Sequence, residues 1–132
     1  MAQLHPVGQD FKVSLFRKTF TKDDRLLKRS DFLLLSNRGK RIHNRKFIAY
    51  ICKNDLNRCR LGLTVTRKVG KAVKRNRIKR LAREYFRQNR HIFGHDWDIS
   101  LIAKRESADI SNKALLSALE NIFVRIASNQ PD

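Results

Sequence analysis

Residues 67–90 read RKVGKAVKRNRIKRLAREYFRQNR, with eleven basic side chains and one acidic side chain, Glu84. Four apolar residues in this stretch recur at the i, i+3, i+4, i+7 spacing: Ile78, Leu81, Ala82 and Tyr85. That spacing is typical of a helix with one buried stripe. The stretch therefore predicts a helix that begins just after Gly70, ends near Asn89 and packs its apolar stripe against the rest of the chain.

The remaining surface of this predicted helix is cationic. At 100° per residue, the face opposite the apolar stripe carries Asn76, Arg80, Arg83 and Arg87, and Arg75 and Arg77 flank the stripe. Most charge runs are solvated surfaces, but cations at this density repel one another unless a polyanion neutralises them. Arginine pairs with phosphate through two parallel hydrogen bonds. The pattern therefore favours nucleic acid binding, without choosing between DNA and RNA.

Length and charge indicate a single basic domain. The chain has 132 residues and a formal net charge of +18, with 26 basic and 6 acidic residues in positions 1–90 but 4 and 6 in positions 91–132. No apolar run approaches the ~20 residues of a membrane span, and the N-terminus lacks a signal-peptide core. We expect a cytoplasmic protein with no membrane partner, in which 1–19 form a partly flexible arm, 20–128 the domain and 129–132 a tail.

Residues before the basic stretch predict a helix followed by strands. Ser30 is placed to cap a helix over 31–38 that ends at Gly39, with Phe32 and Ser36 on one helix face. A short strand is possible near 40–43. Residues 47–52 alternate as a strand, with Phe47, Ala49 and Ile51 on one face and Ile48, Tyr50 and Cys52 on the other.

The next strand is expected to return as a hairpin partner over 60–66, after a turn at 54–57. One of its faces is small and hydroxylated: Gly62, Thr64 and Thr66. Cys52 and Cys59 would face each other across this hairpin, and free thiols are favoured over a disulfide. A strand at 99–104 precedes a final helix capped by Asp109 or Ser111. The apolar stripe of that helix comprises Leu115, Leu116, Leu119, Ile122, Phe123 and Ile126.

The sequence offers one candidate site for single-stranded nucleic acid and no convincing catalytic site. Phe32 and Tyr50, beside small residues and cations, could stack bases, although either aromatic side chain could instead be core. His91 and His95 with Cys52 and Cys59 make a weak zinc pattern, because Gly94 interrupts the helix between the histidines. Between residues 30 and 90 the acids are Asp31, Asp55 and Glu84, which indicates no acid–base pair in this chain.

Residues 74–84, KRNRIKRLARE, preceded by RLGLTVTRKVG at 60–70, resemble the signature of the protein subunit of bacterial ribonuclease P. Residues 25–32, RLLKRSDF, fit the start of that family, and the resemblance spans roughly 20–127. It implies an α/β (α+β) two-layer sandwich in the order α-β-β-β-α-β-α. The sheet would be four-stranded and mostly antiparallel, with a left-handed βαβ crossover.

The same resemblance implies a ribonucleoprotein that removes the 5′ leader of precursor tRNA, with the catalytic centre in its RNA subunit. The partners would be that catalytic RNA, in a 1:1 complex, and precursor tRNA. Any Mg²⁺ would be held mainly by RNA phosphates, with no dedicated protein site. The alternative is a ribosomal or rRNA-assembly protein without a role in cleavage, and a histone-like DNA protein is disfavoured.

The resemblance also assigns residues to two surfaces. The contacts to the RNA subunit would be Lys71, Lys74, Arg75, Asn76, Arg77, Lys79, Arg80, Arg83 and Arg87. The cleft for the leader would be formed by Phe32, Ser36, Tyr50, Thr64, Thr66, Arg67 and Lys68. Ser36 departs from the family pattern, in which many members have a second aromatic residue at this position.

Overall fold

The computed structural model describes residues 20, 22–94 and 96–129, so the predicted arm at 1–19 and residues 130–132 of the predicted tail lie outside the described residues. The main elements are α1 (Arg29–Arg38), β1 (Lys40–His43), β2 (Phe47–Lys53), β3 (Arg60–Thr64), α2 (Ala72–Asn89), β4 (Trp97–Ala103) and α3 (Asn112–Ser128). Single 3-10 turns occupy Lys22–Asp24, Arg90–Phe93 and Arg105–Ser107. This order confirms the predicted α/β architecture.

The four strands form one sheet in the order β1-β2-β4-β3. β2 pairs antiparallel with β1 and β4, whereas β3 pairs parallel with β4. The predicted hairpin between β2 and β3 is therefore wrong, because β4 lies between them. β4 is thus a central strand, and residues on both of its faces are buried. Cys52 lies opposite Asp98 of β4, so Cys59 does not face it, and both thiols are free as expected.

The core lies between one face of the sheet and the pair α2 and α3. Phe47, Ala49 and Ile51 of β2 are buried there with Ile99 and Leu101 of β4. The predicted α3 stripe is confirmed for Leu115, Leu119, Ile122, Phe123 and Ile126. It is wrong for Leu116, which is 38% exposed because it lies at the border of the packed face.

The buried face of α2 differs slightly from the predicted stripe. Its buried residues are Ile78, Ala82, Phe86 and Asn89, while Leu81 and Tyr85 are half-buried. The buried face is shifted because Phe86 packs into an aromatic cluster. Its ring centroid lies 6.1 Å from that of Phe93 and 6.3 Å from that of Phe123. Phe20 meets Phe86 edge-on at 5.8 Å and extends this cluster toward the N-terminus.

Helix and strand ends show where local sequence signals were insufficient. Ser30 is not the N-cap of α1: Lys28 occupies that position, because the helix already begins at Arg29. Gly39 follows α1 as predicted, and its N–H donates to the Leu35 carbonyl at 2.8 Å. β3 ends at Thr64 rather than at residue 66, since the chain turns after Val65, and β4 covers 97–103 rather than 99–104.

The start of α3 decides between the two predicted caps. The Ala114 N–H donates to Ser111 Oγ at 3.1 Å, so Ser111 is the N-cap, and Asp109 forms an ion pair with Lys74 instead. Of the helices in the described residues, none has the length and apolar content needed to cross a membrane.

Candidate RNA-binding surfaces

The first surface is the N-terminal half of α2, which follows β3 through residues 65–71. Lys71 is the N-cap and forms no side-chain cap hydrogen bond, and the first turn contains no acidic residue. A helix N-terminus carries unsatisfied N–H donors and the positive end of the helix dipole. Lys74 and Arg75 add full charges to this end. The arrangement is unfavourable by itself and attracts anions such as phosphate.

The nine residues predicted for this surface share one helix and its N-cap but differ in exposure. Four are exposed: Lys71, Lys74, Asn76 and Arg80. Five are half-buried: Arg75, Arg77, Lys79, Arg83 and Arg87. Within the described residues, the Arg80 side chain forms no hydrogen bond or ion pair, so its guanidinium is available to a ligand.

Several cations of α2 have partners inside the protein. Arg77 donates to the Ile110 carbonyl at 2.6 Å, and Arg75 Nε donates to the Gly70 carbonyl at 3.1 Å. These carbonyl contacts orient each guanidinium without neutralising it. Arg87 instead forms an ion pair with Glu84, and its hydrogen bond holds the pKa of the Glu84 carboxyl below its ordinary value. Arg87 and Lys74, which forms an ion pair with Asp109, are therefore the members of the predicted set whose charges are already paired.

Arg25 is a cation beside the C-terminal half of α2 that sequence reasoning did not single out. The pKa of Arg83 is lowered, mainly by burial and to a smaller extent by repulsion from the nearby Arg25 guanidinium. Arg25 also lies 5.2 Å from the ring centroid of Phe20. A like-charged pair of this kind is relieved by an anion. The available signal was that Arg25 opens the stretch 25–32, which resembles the start of the family.

The second surface is the sheet face that points away from α2 and α3. Residues directly opposite on neighbouring strands share a face, and one such row runs Arg41, Tyr50, Ser100 and Gly62 across all four strands. The next row runs His43, Ile48, Ile102 and Thr64. Tyr50, Ile48, Ile102 and Thr64 are all half-buried, so this part of the sheet is only partly covered.

Phe32 forms the wall of this face. A Cβ atom added to Gly62 would lie 2.5 Å from the Phe32 ring, so the ring rests directly on the backbone of β3. Phe32 is half-buried and Tyr50 lies on the same side of the sheet, whereas Phe47 is core as predicted. Both candidate stacking side chains are thus at the surface in part, rather than fully enclosed.

The other residues predicted for this cleft are spread around it. Thr64 lies on the sheet face, while Thr66, Arg67 and Lys68 are exposed beyond the end of β3. Ser36 is exposed on α1, and its hydroxyl donates to the Leu33 carbonyl at 3.0 Å. The structure also brings Ile48 and Ile102 onto this face. Alternation in β2 already placed Ile48 with Tyr50, and that was the signal for it.

Ion pairs close the end of this sheet face that lies farthest from Thr64, at the start of β3 and β4. Arg60 donates to Asp98 through Nε at 2.8 Å and through a terminal nitrogen at 2.7 Å. The same guanidinium lies 3.8 Å from Asp31 of α1. The hydrogen bond to Asp98 raises the pKa of Arg60 above its ordinary value. Both carboxylates are consequently engaged, and α1 is anchored over the sheet.

The weak and disfavoured zinc pattern of the sequence has no counterpart among the described residues. No group of three or more His, Cys, Asp or Glu side chains there could hold a metal ion, and His95 lies outside the described residues. Cys59 is buried near the Gly94 carbonyl, and burial raises the pKa of its thiol to about 11. A thiol of this kind is a poor metal ligand.

A cationic helix terminus beside a half-open sheet face with two aromatic side chains is an arrangement suited to RNA. The family model described as Ribonuclease P matches residues 20–127. The chain is 44% identical over 113 residues to the Ribonuclease P protein component of Desulfosudis oleivorans, which covers 86% of this chain and 93% of that relative. The chain belongs to the ribonuclease P protein family.

Solved structures show the same fold. The RNase P protein of Staphylococcus aureus superposes with a TM-score of 0.74 at 33% identity, covering 77% of this chain and 94% of that one. The RNase P protein of Thermotoga maritima gives a TM-score of 0.70 at 36% identity, covering 77% of this chain and 96% of that one. Both agree with the four-stranded sheet and three helices described above.

Proposed function

We propose that this chain is the protein component of ribonuclease P, and that it binds the catalytic RNA subunit through the N-terminal half of α2. One observation carries the proposal: the uncapped, acid-free first turn of α2 places Lys71 and Arg75 at the positive end of its dipole, beside Lys74, which is paired with Asp109. Phosphate groups of a folded RNA neutralise this charge. Arg80, exposed one turn further on, extends the same contact.

The half-open sheet face is the proposed site for the single-stranded 5′ leader of precursor tRNA. Tyr50 and Phe32 offer flat apolar surfaces for bases, and Arg67 and Lys68 lie exposed beyond β3, where they can meet the backbone. Because Ser36 is turned to its own helix backbone, stacking relies on Phe32 and Tyr50. A mature tRNA has no leader and gains nothing from this face.

In this proposal, the protein strengthens binding of precursor tRNA and lowers the Mg²⁺ requirement, while the RNA subunit performs the hydrolysis. Asp31 and Asp98, at the closed end of the sheet face, both lie against Arg60, so neither is a free general base. The described residues form no cage for Mg²⁺, and RNA phosphates are its proposed ligands. A 1:1 complex in the cytoplasm, with precursor tRNA as substrate, completes the proposal.

Binding of the RNA subunit is tested by Arg80→Gln. Loss of one phosphate contact should weaken affinity roughly tenfold and make the salt dependence shallower by about one contact. Arg38→Gln is the matched control. This substitution removes the same charge from an exposed position at the C-terminal end of α1. Equal affinities for the RNA subunit and for ribosomal RNA fragments would instead favour an rRNA-assembly protein.

Leader binding is tested with Tyr50→Leu and Phe32→Leu, which remove the ring but keep an apolar side chain. In the assembled holoenzyme, each change should reduce the preference for precursor over mature tRNA by roughly 5- to 150-fold, because stacking contributes about 1–3 kcal/mol per base. Affinity for the RNA subunit should stay within twofold. An unchanged preference for precursor, in variants that remain folded by circular dichroism, would contradict the assignment of this face.

A further inference from the structure

A cationic cavity of about 630 Å³ lies between the β1–β2 turn, the end of β4 and α3. Its basic lining residues are His43, Arg45, Lys46, Lys104 and Arg125, and among the residues that the structure describes no Asp or Glu lines it. The His43 side chain shares the sheet face of Ile48, whereas the other four side chains belong to neither RNA surface described above. A concentration of positive charge without a carboxylate is a binding site for phosphate or another anion.

Asn44 makes the floor of this cavity rigid. Its Oδ1 accepts the backbone N–H groups of Lys46 at 2.9 Å and Phe47 at 2.8 Å, which fixes the turn. Its Nδ2 donates to the Ala118 carbonyl and to Asn121 Oδ1, both at 3.0 Å, which ties the turn to α3. The flanking side chains are consequently presented from a fixed backbone, and little backbone order remains to be gained on binding.

Two of the cations are positioned by backbone carbonyls. Lys104 Nζ donates to the Asn44 carbonyl at 2.8 Å, and Arg125 donates to the His43 carbonyl at 2.9 Å. A carbonyl orients an ammonium or guanidinium group but does not neutralise it. Arg45 is exposed, and Lys46 is half-buried. The cavity therefore keeps its net positive charge, and two of its cationic side chains are held in place.

The topology connects this cavity to α2. His43, Phe47, Ala103 and Thr64 all lie at the same end of the sheet, because β3 and β4 are parallel and β2 is antiparallel to β4. Three strand spacings cover about 14 Å along that end. Residues 104–110, which follow β4, then contact α2 through the Lys74–Asp109 ion pair and the Arg77–Ile110 hydrogen bond. Residues 104–110 thus link the cavity at one edge of the sheet to the N-terminal half of α2 at the other.

We propose that this cavity is a second phosphate-binding site for the catalytic RNA subunit, an inference that rests on the proposed function. The occupant is assigned by position. The cavity is walled by Ser117, Ala118 and Asn121 of α3 and so lies toward the helical side of the sheet, whereas the leader face with Tyr50 is on the opposite side. One folded RNA then spans the basic end of the sheet, contacting both α2 and the cavity.

The double variant Arg45→Gln/Lys46→Gln tests the site. Neither side chain is hydrogen-bonded within the described residues, so the fold should be retained. Affinity for the RNA subunit should fall roughly 100-fold, tenfold for each of two phosphate contacts, and the slope of log affinity against log salt should become less negative by about two. Arg38→Gln/Lys53→Gln is the matched control: it removes the same two charges from exposed positions at the other end of the sheet and should change affinity less than twofold.

The outcomes separate this site from the proposed function. If Arg45→Gln/Lys46→Gln binds the RNA subunit normally while Arg80→Gln binds weakly, the cavity is not an RNA-binding site, and the proposed docking at α2 stands. Normal affinity of both variants would overturn RNA docking at α2 as well. If the test and control pairs lose equal affinity, or if binding to an unrelated duplex RNA falls equally, the cavity contributes only non-specific electrostatic attraction and the proposal is contradicted. A changed precursor-to-mature ratio with normal RNA-subunit affinity would assign the cavity to the substrate instead and contradict the proposal.

Discussion

Gly62 allows an aromatic ring to rest against the backbone of β3. Any side chain there would collide with Phe32 at 2.5 Å and with Leu26 at 2.9 Å. Because Ser100, its neighbour in β4, is also small, the row beside Tyr50 forms a shallow floor. The depth of the proposed leader site thus depends on two small residues as much as on the two rings.

Gly62→Ala should destabilise the protein by roughly 1–3 kcal/mol, the usual cost of adding a methyl group to a filled space. Alanine is otherwise preferred to glycine in a strand, so a loss reports the collision with Phe32. Urea unfolding of Gly62→Ala, Phe32→Leu and the double variant measures the coupling. If the double variant recovers none of the loss, the ring does not rest on Gly62.

The two thiols should differ in reactivity. Burial raises the pKa of Cys59 to about 11, which leaves roughly one part in a thousand as thiolate at pH 8. Cys52 is half-buried on the sheet face. Iodoacetamide at pH 8 should therefore modify one cysteine of the native protein and both cysteines in urea, as read by mass spectrometry. Modification of Cys59 at the same rate as Cys52 would show that its environment is open.

α2 combines a packed face and a binding face in eighteen residues. Its helical period, its position and its cationic side could be predicted from the sequence, because those properties depend on spacing within one segment. The inclusion of Phe86 in the packed face could not be predicted, since it depends on Phe93 in the turn after the helix and on Phe123 in α3. The place of β4 between β2 and β3 was likewise hidden, because strand order is set by long-range pairing.

Part of each site could be predicted in the same way. Alternation placed Tyr50 on one face of β2, and the structure confirms that placement relative to buried Phe47. The contact between Phe32 and Gly62 joins α1 to β3 and has no local signal. The cavity near Asn44 is similar, because its cations come from 43–46, from Lys104 and from Arg125.

The N-cap of α3 offers a direct test of helix-end chemistry. Ser111→Ala removes the acceptor for the Ala114 N–H and should reduce the free energy of unfolding by about 1 kcal/mol. Ser117→Ala, an exposed change within the same helix, should cause no loss, since alanine is the better helix former. Chemical denaturation of both variants measures the difference. Equal stabilities would mean that Ser111 does not cap the helix.

The molecule separates its charge from its core. The apolar side chains of α2 and α3 close one side of the sheet, while cations gather at the end where β3 and β4 finish. The half-open face with Tyr50 points the other way. In the proposed function, one RNA binds along the basic end while a single strand occupies the opposite face, so that the protein holds two RNAs whose backbones repel each other.

We propose that this chain assists an RNA catalyst and does not cleave by itself. The most direct test of this proposal is reconstituted cleavage of precursor tRNA at low Mg²⁺, with the RNA subunit alone, the protein alone and both together. We expect 5′ leader removal only when both are present, and a reduced rate with Arg80→Gln at subsaturating protein. Cleavage by the protein alone, or no stimulation of the RNA subunit by the protein, would contradict the account.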